Sequence, residues 1–68
     1  MNLTVETERE EDGRWIAAVP DLAGVLAYGK TRDEAIARAE ALALRVLADQ
    51  LEHAEAGPDL VSVTFRAA

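Results

Sequence analysis

One long amphipathic helix is the feature of this sequence that most restricts the folds open to it. Its start is marked by a capping box at Thr31 and Glu34, in which a hydroxyl and a carboxylate each accept from a free backbone N–H. An apolar stripe follows at steps of three and four residues, as expected for one buried helix face. The stripe comprises Ile36, Ala39, Ala43, Leu47 and Leu51, widened by Ala35, Leu42 and Val46. We predict a helix from about residue 32 to about residue 54, ended by Gly57 and Pro58.

Short β-strand patterns lie on both sides of the helix. The four predicted strands are residues 3–8, 14–19, 25–28 and 59–66. The first alternates apolar or small with polar side chains, which is the period of a half-buried strand. Asp12-Gly13 is a strong hairpin signal, Pro20 ends the second strand because proline cannot donate to a ladder, and Gly29 closes the third.

The order β-β-β-α-β leaves few arrangements of the chain. Three strands joined by short loops form an antiparallel meander, and a helical crossover to a fourth strand is normally right-handed. Placing the fourth strand beside and parallel to the first gives the sheet order 3-2-1-4. We therefore predict one α+β domain spanning residues 1–68, with the helix packed on one face of the sheet and nothing covering the other.

Strand alternation assigns the side chains to the two faces of the sheet. On the helix side we place Leu3, Val5, Trp15, Ala17, Val19 and Leu42. On the uncovered side we place Thr4, Glu6, Ile16, Ala18, Leu26, Tyr28, Ser62 and Thr64. We predict that Ile16, Leu26 and Tyr28, bordered by Glu6, bind a partner, because an apolar centre with a polar border is typical of a contact surface. The alternatives are that a few exposed apolar side chains carry no function, or that a register error of one residue exchanges the two faces.

Size and charge narrow the functional classes. A chain of 68 residues has a marginal core, so we expect a homo-oligomer, either a dimer or a tetramer. The net charge of −6 argues against nonspecific nucleic-acid binding, which needs clustered Lys and Arg. The absence of cysteine excludes disulfides and Cys-based zinc sites. No signal peptide or membrane span is recognisable, so we expect a cytoplasmic protein.

Two blocks of the sequence resemble the HicB-like antitoxin family. They read DGRWIAAVPDLAG at residues 12–24 and GKTRDEA at residues 29–35. The family pattern is an aromatic residue followed by x-A-x-x-P-D-L-x-G, then G-x-T, then x-x-E-A opening an alanine-rich helix. With the strands on either side, the resemblance covers roughly residues 3–66.

The resemblance implies a partial ribonuclease-H-like sheet and a function in toxin–antitoxin systems. Family members neutralise HicA-type toxins, which are small basic proteins that bind and cleave RNA. Many members also carry a C-terminal DNA-binding domain. This sequence ends at Ala68, directly after the last predicted strand, so we expect no such domain and no direct DNA binding.

The residues that carry the resemblance are expected to have structural roles. They are Trp15, Pro20, Asp21, Gly24, Thr31 and Glu34. We expect Asp21 to form an Asx turn with nearby amides, Leu22 to fill the core, and Gly24 to adopt a positive φ.

The sequence offers no complete catalytic site, and we expect no enzyme activity, metal or cofactor. Two-metal hydrolysis in a ribonuclease-H-like fold needs several converging carboxylates. Glu6 and Glu40 are candidates for two of them, but the last strand has no acid after Asp59. His53 stands alone near the helix end, where a solvated histidine is the simpler interpretation.

Two non-catalytic functions follow from these observations. The first is a single-domain antitoxin that masks a basic toxin, steered by the acidic stretch at residues 6–12. A solvated hairpin explains that stretch equally simply. The second is an orphan homo-oligomer that binds a small ligand or an RNA fragment, and a cryptic nuclease is the least supported possibility.

Overall fold

The computed structural model describes residues 1–53 and 62–68, and within them the elements follow the order β-β-β-α-β. They are β1 (Asn2–Arg9), β2 (Trp15–Ala18), β3 (Leu26–Gly29), α1 (Arg32–Glu52) and β4 (Thr64–Ala67). The predicted helix end at residue 54, the Gly57-Pro58 stop and residues 59–61 of the last predicted strand lie outside the described residues.

The described strands form one mixed sheet in the order β3-β2-β1-β4. β1 and β2 pair antiparallel, as do β2 and β3, whereas β1 and β4 pair parallel. The helix α1 therefore crosses from one edge strand to the other. This architecture confirms the predicted α+β fold and strand order.

The last strand begins later than the alternation predicted. β4 starts at Thr64, which pairs with Asn2 at the start of β1. Ser62 and Val63 were predicted to lie in this strand, but they precede the segment that pairs with β1, and Ser62 O accepts there from the N-terminal amino group of Met1 at 2.6 Å. The pairing partner, rather than the local pattern, sets the length of this strand.

The core lies between α1 and one face of the sheet. Its buried members are Leu3, Val5, Ala17, Val19, Val25, Ala35, Ala39, Ala43 and Leu47. Three of the four buried helix residues are alanines, so the helix backbone lies close to the strands. Trp15 and Leu42 are partly buried at the border of this core, on the predicted side.

The prediction that Leu51 belongs to the buried stripe is wrong, because its side chain is 42% exposed. The reason is helical geometry. Successive steps of four residues from Ala39 through Ala43 and Leu47 rotate the stripe by about 40° each at 3.6 residues per turn. By Leu51 the rotation reaches about 120°, which carries this side chain off the sheet.

Two turns set the geometry of the strand ends. In the β1–β2 hairpin, Glu10 O accepts from Gly13 N at 3.0 Å and Glu10 N donates to Arg14 O at 2.7 Å. Gly13 has a φ of +90°, so the three-residue loop ends in the left-handed position that favours glycine. In the β2–β3 connection, Gly24 has the predicted positive φ, +78°, and Leu22 packs against the core.

Asp21 does not form the predicted Asx turn with neighbouring amides. Its carboxylate accepts instead from the backbone N–H of Thr4 on β1, at 3.2 Å. The β1–β2 ladder starts only at the Glu6–Ala18 pair, so Thr4 lies beyond it on the β2 side. The Asp21 carboxylate therefore takes the place of the backbone carbonyl that a longer β2 would have offered to the Thr4 N–H.

The Thr31 half of the capping box is confirmed at the start of α1, whereas the Glu34 carboxylate binds the N–H of the residue before the N-cap instead of the N–H of Thr31 itself. Thr31 Oγ1 accepts from Glu34 N at 3.1 Å, and Glu34 Oε1 accepts from Lys30 N, also at 3.1 Å. Both side chains serve the helix terminus, which agrees with the structural role predicted for them.

Candidate interaction surface

The sheet face opposite α1, which we call the open face, carries an apolar centre. In the strand register, Ile16 lies between Tyr28 and Glu8, and Ala18 lies between Leu26 and Glu6. With Leu3, Val5, Ala17 and Val19 buried on the opposite side, this register confirms the faces predicted for β1, β2 and β3. The exposed fractions of Leu26 and Tyr28 are 47% and 39%.

One side of the apolar centre is acidic. Glu6 and Glu8 on β1 are exposed next to Ala18 and Ile16. The alternation that places Glu6 on this face also applies to Glu8, which the sequence analysis did not name as a site residue. The acidic border therefore runs along β1 for two residues of the same face.

The other side of the centre carries a balanced charge pair. The guanidinium of Arg14 lies over the ring of Tyr28, with Cζ 4.7 Å from the ring centroid. Its Nε donates to Asp12 Oδ2 at 2.7 Å. Hydrogen bonds from the backbone N–H and then from the side chain of Arg14 lower the pKa of Asp12 below its ordinary carboxyl value. Asp12 thus offsets the positive charge of Arg14, so that the net charge around the apolar centre remains negative because of Glu6 and Glu8.

The strand that presents Leu26 and Tyr28 is also tied to the helix. Arg38 Nη1 donates to the carbonyl oxygen of Tyr28 at 3.0 Å, and Arg38 Nη2 lies 3.3 Å from Glu34 Oε1. Neither Arg14 nor Arg38 was predicted as a site residue. Alternation places Arg14 on the same side as Ile16, but no local signal reveals that Arg38, nearly two turns into the helix, reaches β3.

The concavity on the open face is small. It has a volume of about 210 Å³ and is lined by Glu6, Thr7, Glu8, Ile16 and Ala18. Small-molecule sites usually measure about 300–1,000 Å³ and enclose most of the ligand. A larger concavity of about 410 Å³ lies at the β1–β2 hairpin, but only charged residues line it: Glu8, Arg9, Glu10, Glu11, Asp12 and Arg14. Because small-molecule sites are lined mainly by apolar side chains, the open face is better suited to contact with a macromolecular surface than to enclosing a small ligand.

The structure does not bring together the acids considered for hydrolysis. Glu6 lies on the open face, whereas Glu40 lies on α1 on the other side of the sheet. Among residues 1–53 and 62–68, no group of three or more His, Asp or Glu side chains is placed to hold a metal ion. His53 is exposed at the end of α1, with Nδ1 2.8 Å from Asp49 O and 3.3 Å from Asp49 Oδ1.

No protein-family model matches this chain, and neither the curated proteins nor the solved structures that were searched contain a match. Within the part of the chain that the structure describes, no helix is both long and apolar enough to cross a bilayer.

Proposed function

We propose that this protein is a HicB-like antitoxin that acts in the cytoplasm by binding and neutralising a small basic HicA-type RNA-cleaving toxin. The observation that carries the proposal is the open face, where an exposed apolar centre adjoins an acidic strand. The strand order and the single packed helix are those that the sequence resemblance implies, and this agreement supports the same function.

The proposed mechanism is masking and requires no covalent chemistry. Ile16, Leu26 and Tyr28 would lose their remaining contact with water against an apolar patch of the toxin, which supplies most of the affinity. Glu6 and Glu8 would face the lysines and arginines that the toxin uses to hold RNA. Such complementary charges accelerate encounter and exclude acidic partners.

The decisive experiment is co-expression with any strongly basic protein of similar size that a neighbouring gene encodes, scored by rescue of growth. Ile16→Asp should abolish rescue, because it places a charge in the middle of the contact, while circular dichroism shows the fold retained. Ala23→Asp is the matched control, since it adds the same charge in an exposed loop and should rescue growth like the original protein.

Three outcomes would contradict the proposal. One is that the original protein neither rescues growth nor binds the neighbouring product. Another is that Ile16→Asp, still folded, rescues growth fully. The third is binding of an RNA fragment by the protein alone, which would favour the orphan ligand-binding function.

A further inference from the structure

The outer surface of α1 carries a second apolar row that the fold does not use. It consists of Ala37, Ala41, Leu44, Ala48 and Leu51, at steps of four, three, four and three residues. All five side chains are exposed, and the exposed fractions of Leu44 and Leu51 are 50% and 42%. At 100° per residue the five lie within an arc of about 80°, on the side of the helix away from the core. We call this row the outer seam.

Helix propensity explains the alanines of the outer seam but not its leucines. Alanine is favoured at any exposed helical position because it loses no side-chain entropy. Leu44 and Leu51 expose large apolar side chains exactly one heptad apart, in line with the small residues. A heptad row of this kind is the pattern by which two helices pack knobs into holes.

The charges beside the outer seam indicate the partner and its orientation. Glu40 lies on one flank and Arg45, five residues later, on the other. In a parallel pair of helices, a residue on the first flank faces the residue five positions later on the second flank of the partner helix. Glu40 would then face Arg45 of the partner subunit, and two-fold symmetry repeats the pair. Within the described residues neither side chain is in an ion pair.

An antiparallel pair lacks this complementarity. It would bring each flank against the same flank of the partner, so that Glu40 would approach acidic or apolar positions rather than an arginine. Asp33 and Arg38 repeat the parallel spacing one heptad earlier, but Arg38 is already bonded to Glu34 and to Tyr28 O. Among the residues that the structure describes, the complementary charges without an ion-pair partner are therefore those of Glu40 and Arg45.

We propose that the protein forms a parallel two-fold dimer in which the outer seam of α1 packs against the same seam of a second copy. The alanines allow the helix axes to approach to about 8 Å, at the close end of the range for packed helices. Because α1 covers the opposite side of the sheet, dimerisation leaves both open faces uncovered. This inference does not rest on the proposed antitoxin function.

The test is the association state of the full chain, measured by sedimentation equilibrium over a range of concentrations. The original protein should be a dimer, and Leu44→Glu should raise the dimer Kd at least about tenfold, because two acids then meet in the seam. Leu26→Glu is a closely matched control. Leu26 lies on the open face and is 47% exposed, compared with 50% for Leu44. Its replacement should leave the dimer intact.

Charge exchange tests the orientation of the two helices. Glu40→Arg should weaken the dimer about three- to tenfold, as expected for two partly exposed ion pairs replaced by repulsion, and adding Arg45→Glu should restore it. A monomeric original protein would overturn the proposal. So would dissociation by Leu26→Glu but not by Leu44→Glu, or failure of the charge exchange to restore the dimer while each variant remains helical.

Discussion

The close approach of α1 to β3 makes a definite prediction for Gly29, the last residue of β3. An ideal Cβ at this position would lie 2.5 Å from Ala35 N and 3.0 Å from both Ala35 Cα and Glu34 C. Ordinary van der Waals contacts of a Cβ lie at 3.4–4 Å. The three atoms belong to the helix backbone, so a Gly29→Ala substitution is accommodated only if the start of α1 retreats by about 1 Å.

The helix is not free to retreat. Arg38 Nη1 donates to the carbonyl oxygen of Tyr28 at 3.0 Å, and Ala35, whose backbone the added Cβ would strike, is fully buried in the core. Overpacking of this kind typically costs about 1–3 kcal/mol of unfolding free energy. In a domain of this size, each kcal/mol lowers the melting temperature by about 4–8 °C. We therefore expect Gly29→Ala to melt at least several degrees below the original protein.

Whether Gly29→Ala lowers or raises the stability is informative, because the backbone at Gly29 is not in the left-handed region occupied by Gly13 and Gly24. Without a clash, alanine would stabilise the protein by about 0.4–1 kcal/mol by reducing the entropy of the unfolded chain. Urea unfolding followed by circular dichroism at the helical band separates the two cases. A midpoint equal to or above that of the original protein would refute the close approach.

Gly24 provides the matched control. A Cβ there meets nothing within 4 Å, but φ is +78°. Gly24→Ala is therefore expected to lose stability through backbone strain alone, and Gly24→Asn to recover part of it, because asparagine tolerates this conformation. Gly29→Asn should show no such recovery relative to Gly29→Ala.

Three further predictions concern the helix cap, the hairpin and catalysis. Thr31→Ala should lower the free energy of unfolding by about 1 kcal/mol, measured by thermal unfolding. Thr31→Ser keeps the hydroxyl and should lower it little. An unchanged melting curve for Thr31→Ala would place the helix start elsewhere. The lowered pKa of Asp12 means that its contribution to stability is present above the ordinary carboxyl pKa and is lost as pH falls through the lowered value. An NMR titration should show this pKa rising in Arg14→Ala, and no change would show that the Arg14 side chain has no part in it. We also predict no magnesium- or manganese-dependent hydrolysis of RNA, DNA or their hybrid; turnover that disappears in Glu40→Gln would contradict this.

Local sequence patterns determined the elements and their faces. The capping box at Thr31 and Glu34 involves residues within one turn, and the alternation that places Ile16 outward needs only its own strand. Together with the rules for strand connections, these patterns led to the sheet order and to the apolar centre of the open face. The register then confirmed which residues lie side by side.

Contacts between residues far apart in the chain were decided only by the tertiary structure. Asp21 accepts from Thr4, Arg14 lies over Tyr28, and these pairs depend on where strands end and how they align. Leu51 is exposed and not in the core because side chains four residues apart are displaced progressively around the helix, whereas the sheet covers only one side of it. Sequence patterns report the preference of each segment, whereas these outcomes depend on the distance and angle between segments, which packing alone sets.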